Sequence, residues 1–397
     1  MKQKRNDKNK TRVRRLLAAG LVLSLLVPQT AAAVEKPEDM EEERWERLQD
    51  NVLEYDELAD RVAYFNPTIC QIVDRVNDSF DTILENVDEY HEAINDLEYL
   101  YDKAVKQMDF DSVVEYKTNE MMFKYAARAM LKANKNRGKV IDRSTRQAKK
   151  TFTSVCQQLM VLYNKMAINK ATLEKQVELY GKMAEMYETQ AGIGMATQTQ
   201  KLSAQASQYS AQNSLAALTA QMDELKRSLL LLLGWDYDSD VVVGSIPPVD
   251  VTEIARIDFA ADKAIAPKNN YAIIEMKNAA PNDFDGDGKY KNKDYRAREQ
   301  GVEQAEEQLA ITIEQLYQTL FEQQAILASA ETAYQAAQVK WDGAVRKYEL
   351  GMLGQAEYLG EELAYCAAKA AYESAELDMR QAMLNYYWGV NGLGELA

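Results

Sequence analysis

The sequence predicts an all-α protein built as two repeats of long antiparallel coiled-coil helical hairpins, and three observations predict it. The first is a shortage of turn residues, 17 Gly and 7 Pro in 397 residues, where average usage is about 7% and about 5%. A sandwich or a barrel needs more reversals than that supply allows. The second is apolar periodicity at seven residues, the seam spacing of a coiled coil. The third is an internal repeat: Phe152, Leu159, Met166, Leu173, Tyr180, Tyr187 and Gly194 correspond one for one, 157 residues later, to Leu309, Leu316, Gln323, Ala330, Ala337, Ala344 and Gly351.

The chain begins with eight Lys and Arg against one Asp in residues 1–15, followed by an apolar run over 16–27 and by Ala31-Ala32-Ala33. An apolar run that short falls below the roughly 20 residues of a spanning helix, so residues 1–33 read as a signal peptide cleaved before Val34. No Cys stands near that site, which excludes a lipoprotein anchor. Removing those residues takes eight basic side chains and one acidic one from totals of 47 and 62 and leaves a net charge of −22. Nucleic acid and anionic lipid are disfavoured as partners by that charge. Residues 34–60 read as an acidic, solvated leader. No later run is apolar enough to span, so the mature chain is expected to cross no bilayer and to reside in the cell envelope: periplasm, wall space or outer-membrane-associated.

The first repeat is placed at 61–234. Asn66-Pro67 reads as an N-cap followed by Pro at the first helical position. Two interleaved series follow, Phe80, Val87, Ile94, Tyr101 and Ile83, Tyr90, Leu97, Ala104, on one stripe. His91 lies beside that seam as a solvated residue. The pattern weakens at 109–111, helix is expected again over 121–133, and 134–138 reads as a polar turn. The long heptad helix then runs to Gly194, and an Ala-rich helix returns over 197–233. A connector at 235–254 carries Val241-Val242-Val243 and Pro247-Pro248. The second repeat, 255–393, has a companion stripe at Ile313, Leu320, Leu327, Tyr334, Trp341 and Tyr348 and a returning helix over 355–388. Gly192 and Gly194, and Gly351 and Gly354, let the backbone reverse at the two hairpin tips.

Tyr348-Glu349-Leu350-Gly351-Met352-Leu353-Gly354 followed by Ala356-Glu357-Tyr358-Leu359, and the parallel Gly194-Met195-Ala196-Thr197, resemble the helix-tip signatures of TolC-type outer-membrane efflux proteins. Val62-Ala63-Tyr64-Phe65-Asn66-Pro67 resembles the start of the family's first repeat, and Leu231-Leu232-Leu233-Gly234 the close of its last helix. The resemblance covers roughly residues 55 to 393. It implies a homotrimeric α-barrel whose tips, here Gly192, Gly194, Met195, Ala196, Gly351, Met352, Leu353 and Gly354, dock a membrane-fusion adaptor and an inner-membrane or ABC-type transporter. It also implies a pore constriction at Glu357, with the next family acid falling on Gly360 and its nearest substitute on Glu361. The plainer reading of both acids is an outward charged helix face.

The sequence departs from the family where two membrane-spanning strands are expected in each repeat. The slots at 134–142 and 281–294 are short and polar, whereas one such strand needs about 9 to 11 residues of alternating apolarity. The first repeat also carries about 46 extra residues, mostly the acidic heptads near 80–130.

Within the second slot, residues 283–294 fit a twelve-residue calcium loop. A hard cation needs several oxygens on a tight turn: Asp283, Asp285 and Asp287 at positions 1, 3 and 5, Gly288 at the turn, the Lys289 carbonyl at 7 and Asp294 at 12. The loop resembles those of dockerin and EF-hand proteins, with Asp in place of Glu at position 12; the other reading is a solvated acidic turn. One His and three Cys exclude a zinc finger, a His-based triad and a disulfide framework. Cys70, Cys156 and Cys366 read as buried thiols. No enzyme site is found. The expected function is a TolC-like efflux or export conduit passing small molecules or peptides outward; the alternative is a structural or adhesive coiled-coil surface protein with no transport role. The matched glycine tips favour the conduit, since a simple rod has no reason to reverse twice at equivalent positions.

Overall fold

A computed structural model describes residues 36–37, 40–107, 109–278 and 292–396. Contacts divide the chain into Met1–Glu41 and Glu42–Ala397. In the first unit Met40 N donates to the Pro37 carbonyl at 3.2 Å; all that follows concerns the second.

Its helices are α1 (Glu42–Arg47), α2 (Leu58–Phe65), α3 (Pro67–Lys106), α4 (Phe110–Asn134), α5 (Arg137–Gly192), α6 (Gln198–Leu232), α7 (Phe259–Asn269), α8 (Tyr271–Asn278), α9 (Asn292–Glu349) and α10 (Gln355–Trp388). Strands β1 (Val52–Leu53) and β2 (Val242–Val243) pair in parallel. Among the described residues no helix is long and apolar enough to cross a membrane. Helix α5 packs on α6, α9 on α10, and α5 on α10. The layer therefore runs α6, α5, α10, α9. Lys165 meets Asp378 at 2.6 Å and Lys175 meets Glu362 at 3.0 Å across its middle, and Trp388 Nε1 donates to Gln157 at 2.8 Å.

The stripe over 152–187 is half-buried, while the buried apolar side chains of α5 are Cys156, Met160, Val161, Leu179, Ala184 and Met186, with Thr145, Thr153 and Ser154 buried beside them. A helix flanked on two sides divides its apolar surface between both neighbours, so one seam does not describe it. The two long hairpins are also filled by different side chains. In the first, Ala184 and Ala204 are buried and a β-carbon on Gly181 would come within 2.9 Å of Gln208 Nε2. In the second, Tyr334, Trp341 and Tyr348 of α9 interleave with Tyr358, Tyr365 and Tyr372 of α10. Successive centroids lie 4.3 Å apart for Tyr348–Tyr358, 4.9 Å for Trp341–Tyr358 and 5.6 Å for Tyr334–Tyr372.

The extra residues of the first repeat fold as a third hairpin. Asn66 caps α3 by accepting from the amides of Thr68 and Ile69. Phe80, Val87, Ile94 and Ala104 are buried along the predicted seam, and His91 is exposed. The chain reverses between Lys106 and Phe110, where Asp109 accepts from Ser112 N, and α4 returns along α3 with Tyr90 and Phe123 rings 5.3 Å apart. Helix thus resumes at Phe110, earlier than the periodicity predicts. The reason is Glu120, which occupies a buried seam position where a heptad expects an apolar side chain. It is held between Lys117 at 2.9 Å and Lys124 at 2.6 Å, and those hydrogen bonds, Lys124 first, keep its carboxyl below the ordinary range.

The leader is not solvated from Glu42 onward: Trp45, Leu48, Leu53 and Leu58 are buried. Leu53 and Leu58 join Val62, Cys156, Met160, Leu229, Leu230, Leu233 and Val241 in a core at the end of the first hairpin away from its tip. Acidic side chains surround that apolar series without interrupting it. Buried Arg61 donates to the Leu48 carbonyl and lies 3.0 Å over the Trp235 ring; burial lowers its pKa to about 10. An equivalent core in the second repeat gathers Ile254, Ala266, Ile273, Leu309, Ile313 and Leu320 with Met379 and Tyr386. Of the three thiols only Cys156 is fully buried; Cys70 and Cys366 are half-buried.

Candidate functional site

The two hairpin tips share one backbone geometry. Gly194 takes φ +76° and Gly351 φ +68°, the left-handed conformation that favours glycine. Met195 N donates to the Gln190 carbonyl and Met352 N to the Lys347 carbonyl, both at 2.7 Å. Gly194 N donates to Ala191 and Gly351 N to Tyr348. These are the paired 6→1 and 5→2 bonds of a Schellman motif, which satisfy the last carbonyls of α5 and α9. Nothing lies within 4 Å of a β-carbon added at Gly192, Gly194, Gly351 or Gly354, so conformation and not crowding explains the left-handed pair. Past the first tip, Thr197 and Gln200 form a reciprocal capping box; past the second, Gly354 starts α10 without a side-chain cap.

Met195 is 78% exposed and Met352 74%, while Ala196 and Leu353 are half-buried beneath them. The structure adds two residues that sequence reasoning missed. Ile193 and Leu350, the residues just before the left-handed glycines, are exposed as well. The 157-residue offset would have found them, because both copies place a branched apolar residue there. Each tip thus presents two large apolar side chains to solvent on a rigid turn.

Glu357 lies exposed in the first turn of α10 and Glu361 is half-buried one turn later. Neighbouring Glu362 is the acid that reaches α5, through Lys175. Asp283, Asp285, Asp287 and Lys289 lie outside the described residues, and Asp294 falls in the first turn of α9. Among the described residues no group of three or more His, Cys, Asp or Glu could hold a metal ion. A cavity of about 360 Å³ lies at the base of the second repeat, lined by Glu253, Ile257, Met383, Tyr386 and Val390. Arg380 borders it while donating to the carbonyls of Pro247 and Pro248.

At the opposite end from the tips each repeat closes on itself. Asn66 Nδ2 donates to the Leu232 carbonyl at 2.7 Å, and Asn270 Nδ2 to the Gly394 carbonyl at 2.8 Å. Both asparagines also cap the helix that follows. The repeat therefore extends to its base, although Asn270 has no following Pro to mark it.

No family model matches the chain, and no curated protein matches it. Among solved structures it is similar to the outer membrane protein VceC of Vibrio cholerae, at 14% identity over 69% of this chain and 76% of that one, with a TM-score of 0.43. It is also similar to the CmeC outer membrane channel of Campylobacter jejuni, at 10% identity over 94% of each chain and a TM-score of 0.47, and to the MtrE outer membrane channel of Neisseria gonorrhoeae, at 14% over 69% and 72% with a TM-score of 0.36. The fold is all-α, two repeats of long helical hairpins. Those values fix no residue's role in this chain. What the chain shows by its own geometry is two matched hairpins, tips reversing through left-handed glycines, and asparagine-capped bases. Within the first repeat α3 and α4 stand between α2 and the long helix α5.

Proposed function

We propose that this TolC-like chain is an efflux or export conduit of the cell envelope, working as a homotrimer with an adaptor and an energised transporter. The observation that carries the reading is the four-helix layer with an apolar outer flank at each end. Leu202 and Tyr209 on α6, and Phe321, Ile326 and Val339 on α9, are exposed. A layer whose first and last helices both present apolar side chains is completed by pairing the α6 flank of one copy with the α9 flank of the next, a heterologous contact that closes into a ring when the rotation allows. The exposed Ile193, Met195, Leu350 and Met352 then form a circlet of apolar side chains suited to an adaptor, and Glu357 with Glu361 a ring of carboxylates at the adjoining mouth. Calcium, held by residues 283–294, is proposed to order the approach to α9.

Sedimentation and negative-stain averages of the mature chain test this reading. A trimer with a central hole is expected, and a monomer at micromolar concentration would overturn it. For the loop, calorimetric titration should lose its calcium heat in Asp283→Ala/Asp287→Ala; equal heats would reduce the loop to a turn.

A further inference from the structure

The α3–α4 hairpin has two unlike outer faces. Helix α3 turns Phe80, Val87 and Ile94 toward α4. Its opposite face carries Asp78, Glu85, Asp88, Glu89, Glu92 and Asp96, all exposed. Helix α4 turns Phe123 and Ala127 toward α3, and its opposite face carries Val114, Met121, Met122 and Tyr125, all exposed, Tyr125 at 78%. Residues 114, 121 and 125 fall within about 40° on a helix turning 100° per residue. Arg128 and Lys132 continue the stripe and are exposed. Over residues 78–96 one face is thus predominantly acidic, and the other is apolar with a basic end.

We infer that this hairpin is a self-association element, in which the α4 face of one copy docks on the acidic α3 face of the next to form a helical collar. Charge decides the occupant. The acidic face repels its own kind, so a two-fold contact of acidic faces is excluded, whereas the head-to-tail pairing of unlike faces joins Arg128 and Lys132 to carboxylates and repeats around an axis. Longitudinal register agrees with it. Tyr90 is level with Phe123, and Asp81 is level with Arg137, which it bridges at 2.9 Å. Hairpins standing side by side at one height therefore bring Arg128 and Lys132 to the level of Glu85 and Asp88. The long aliphatic and aromatic side chains of Met121, Met122 and Tyr125 lie against the methylene stems of Glu89 and Glu92, leaving the carboxylates at the rim. The inference rests on the side-by-side association proposed above, but uses a different surface of the chain.

The test joins Arg128→Cys and Asp88→Cys in one mature chain, with the parent's Cys70, Cys156 and Cys366 as background control, and reads sedimentation separately. Covalent ladders under mild oxidation, absent from the parent and from either single variant, are expected. Arg128→Glu/Lys132→Glu should weaken self-association at least tenfold, and Glu85→Lys/Asp88→Lys added to it should restore most of the loss. An oligomer without the cross-link overturns the collar and leaves the conduit reading standing; a monomer overturns both. Co-sedimentation with phosphatidylcholine–phosphatidylglycerol vesicles that is lost in Met121→Asp/Tyr125→Asp, without cross-linking, would assign the face to lipid and overturn the collar.

Discussion

Gly234, at φ +78°, lies so close to Phe65 that a β-carbon added to the glycine would overlap the Phe65 carbonyl oxygen and come within 2.9 Å of its carbon. Gly392, at φ +112°, stands in the same relation to the carbonyl of Asn269. The residue after each pressed carbonyl is the clamping asparagine, Asn66 or Asn270. Each repeat is therefore locked at its base where the returning helix ends, by a left-handed glycine on one side and an asparagine amide on the other.

Base and tip glycines are expected to respond differently to alanine. At Gly194 or Gly351 only the left-handed strain is added, about 1 to 2 kcal/mol, because the space is open. At Gly234 or Gly392 the same strain is joined by backbone overlap, and a loss of roughly 3 kcal/mol or more is expected. Urea midpoints at unchanged slope measure both, and equal losses at the two ends would contradict the clamp.

Asn66 performs two tasks that substitution separates. Asn66→Asp keeps an oxygen for the Thr68 and Ile69 amides but removes the donor to the Leu232 carbonyl. Asn66→Ala removes both, at about 1 to 2 kcal/mol for the cap and about 1 to 3 kcal/mol for the group left unpaired. Hydrogen exchange in the first turn of α3 should stay slow in the Asp variant and quicken in the Ala variant. Identical exchange in the two would show that the cap does not hold the turn.

Alkaline pH should loosen the second hairpin before the first. Tyr365 is raised to about 12, chiefly by its hydrogen bond with Tyr334, and Tyr372 to about 12, chiefly by its bond to Glu376. A phenol whose folded pKa exceeds its unfolded value near 10 contributes stability that is complete below pH 10 and lost as pH rises through 12. Absorbance at 295 nm should show delayed ionisation, and Tyr372→Phe should flatten the decline of stability between those limits. A decline as steep as the parent's would count against the ladder.

Burial raises the Cys156 thiol to about 12, so it stays protonated at pH 8 and closed to reagents. Iodoacetamide followed by mass spectrometry should leave Cys156 unmodified in the native chain and label it in urea. Labelling under native conditions at the unfolded rate would place that residue outside the core.

Signals that act over a few residues were legible in the sequence. The Asn-Pro start of α3, the α3 seam, the glycine reversals and their offset of 157 follow from capping, helical periodicity and the left-handed conformation that glycine adopts freely. Each is decided within one or two turns of chain. The heptads of α5 mark a helix but not its surroundings, since two neighbours share its apolar surface.

The sequence by itself thus determined an all-α, twice-repeated, hairpin-built chain and the positions of its tips. Only the tertiary structure decided that the extra residues fold back as a hairpin, with buried Glu120 made tolerable by two lysines. It also decided that Asn66 closes on Leu232 and Asn270 on Gly394, and that six aromatic side chains interleave between α9 and α10. The physical reason is the range of the forces. Helix propensity and capping are read within neighbouring residues, whereas a carbonyl 166 positions away enters only when packing brings it near, and no spacing along the chain records that approach.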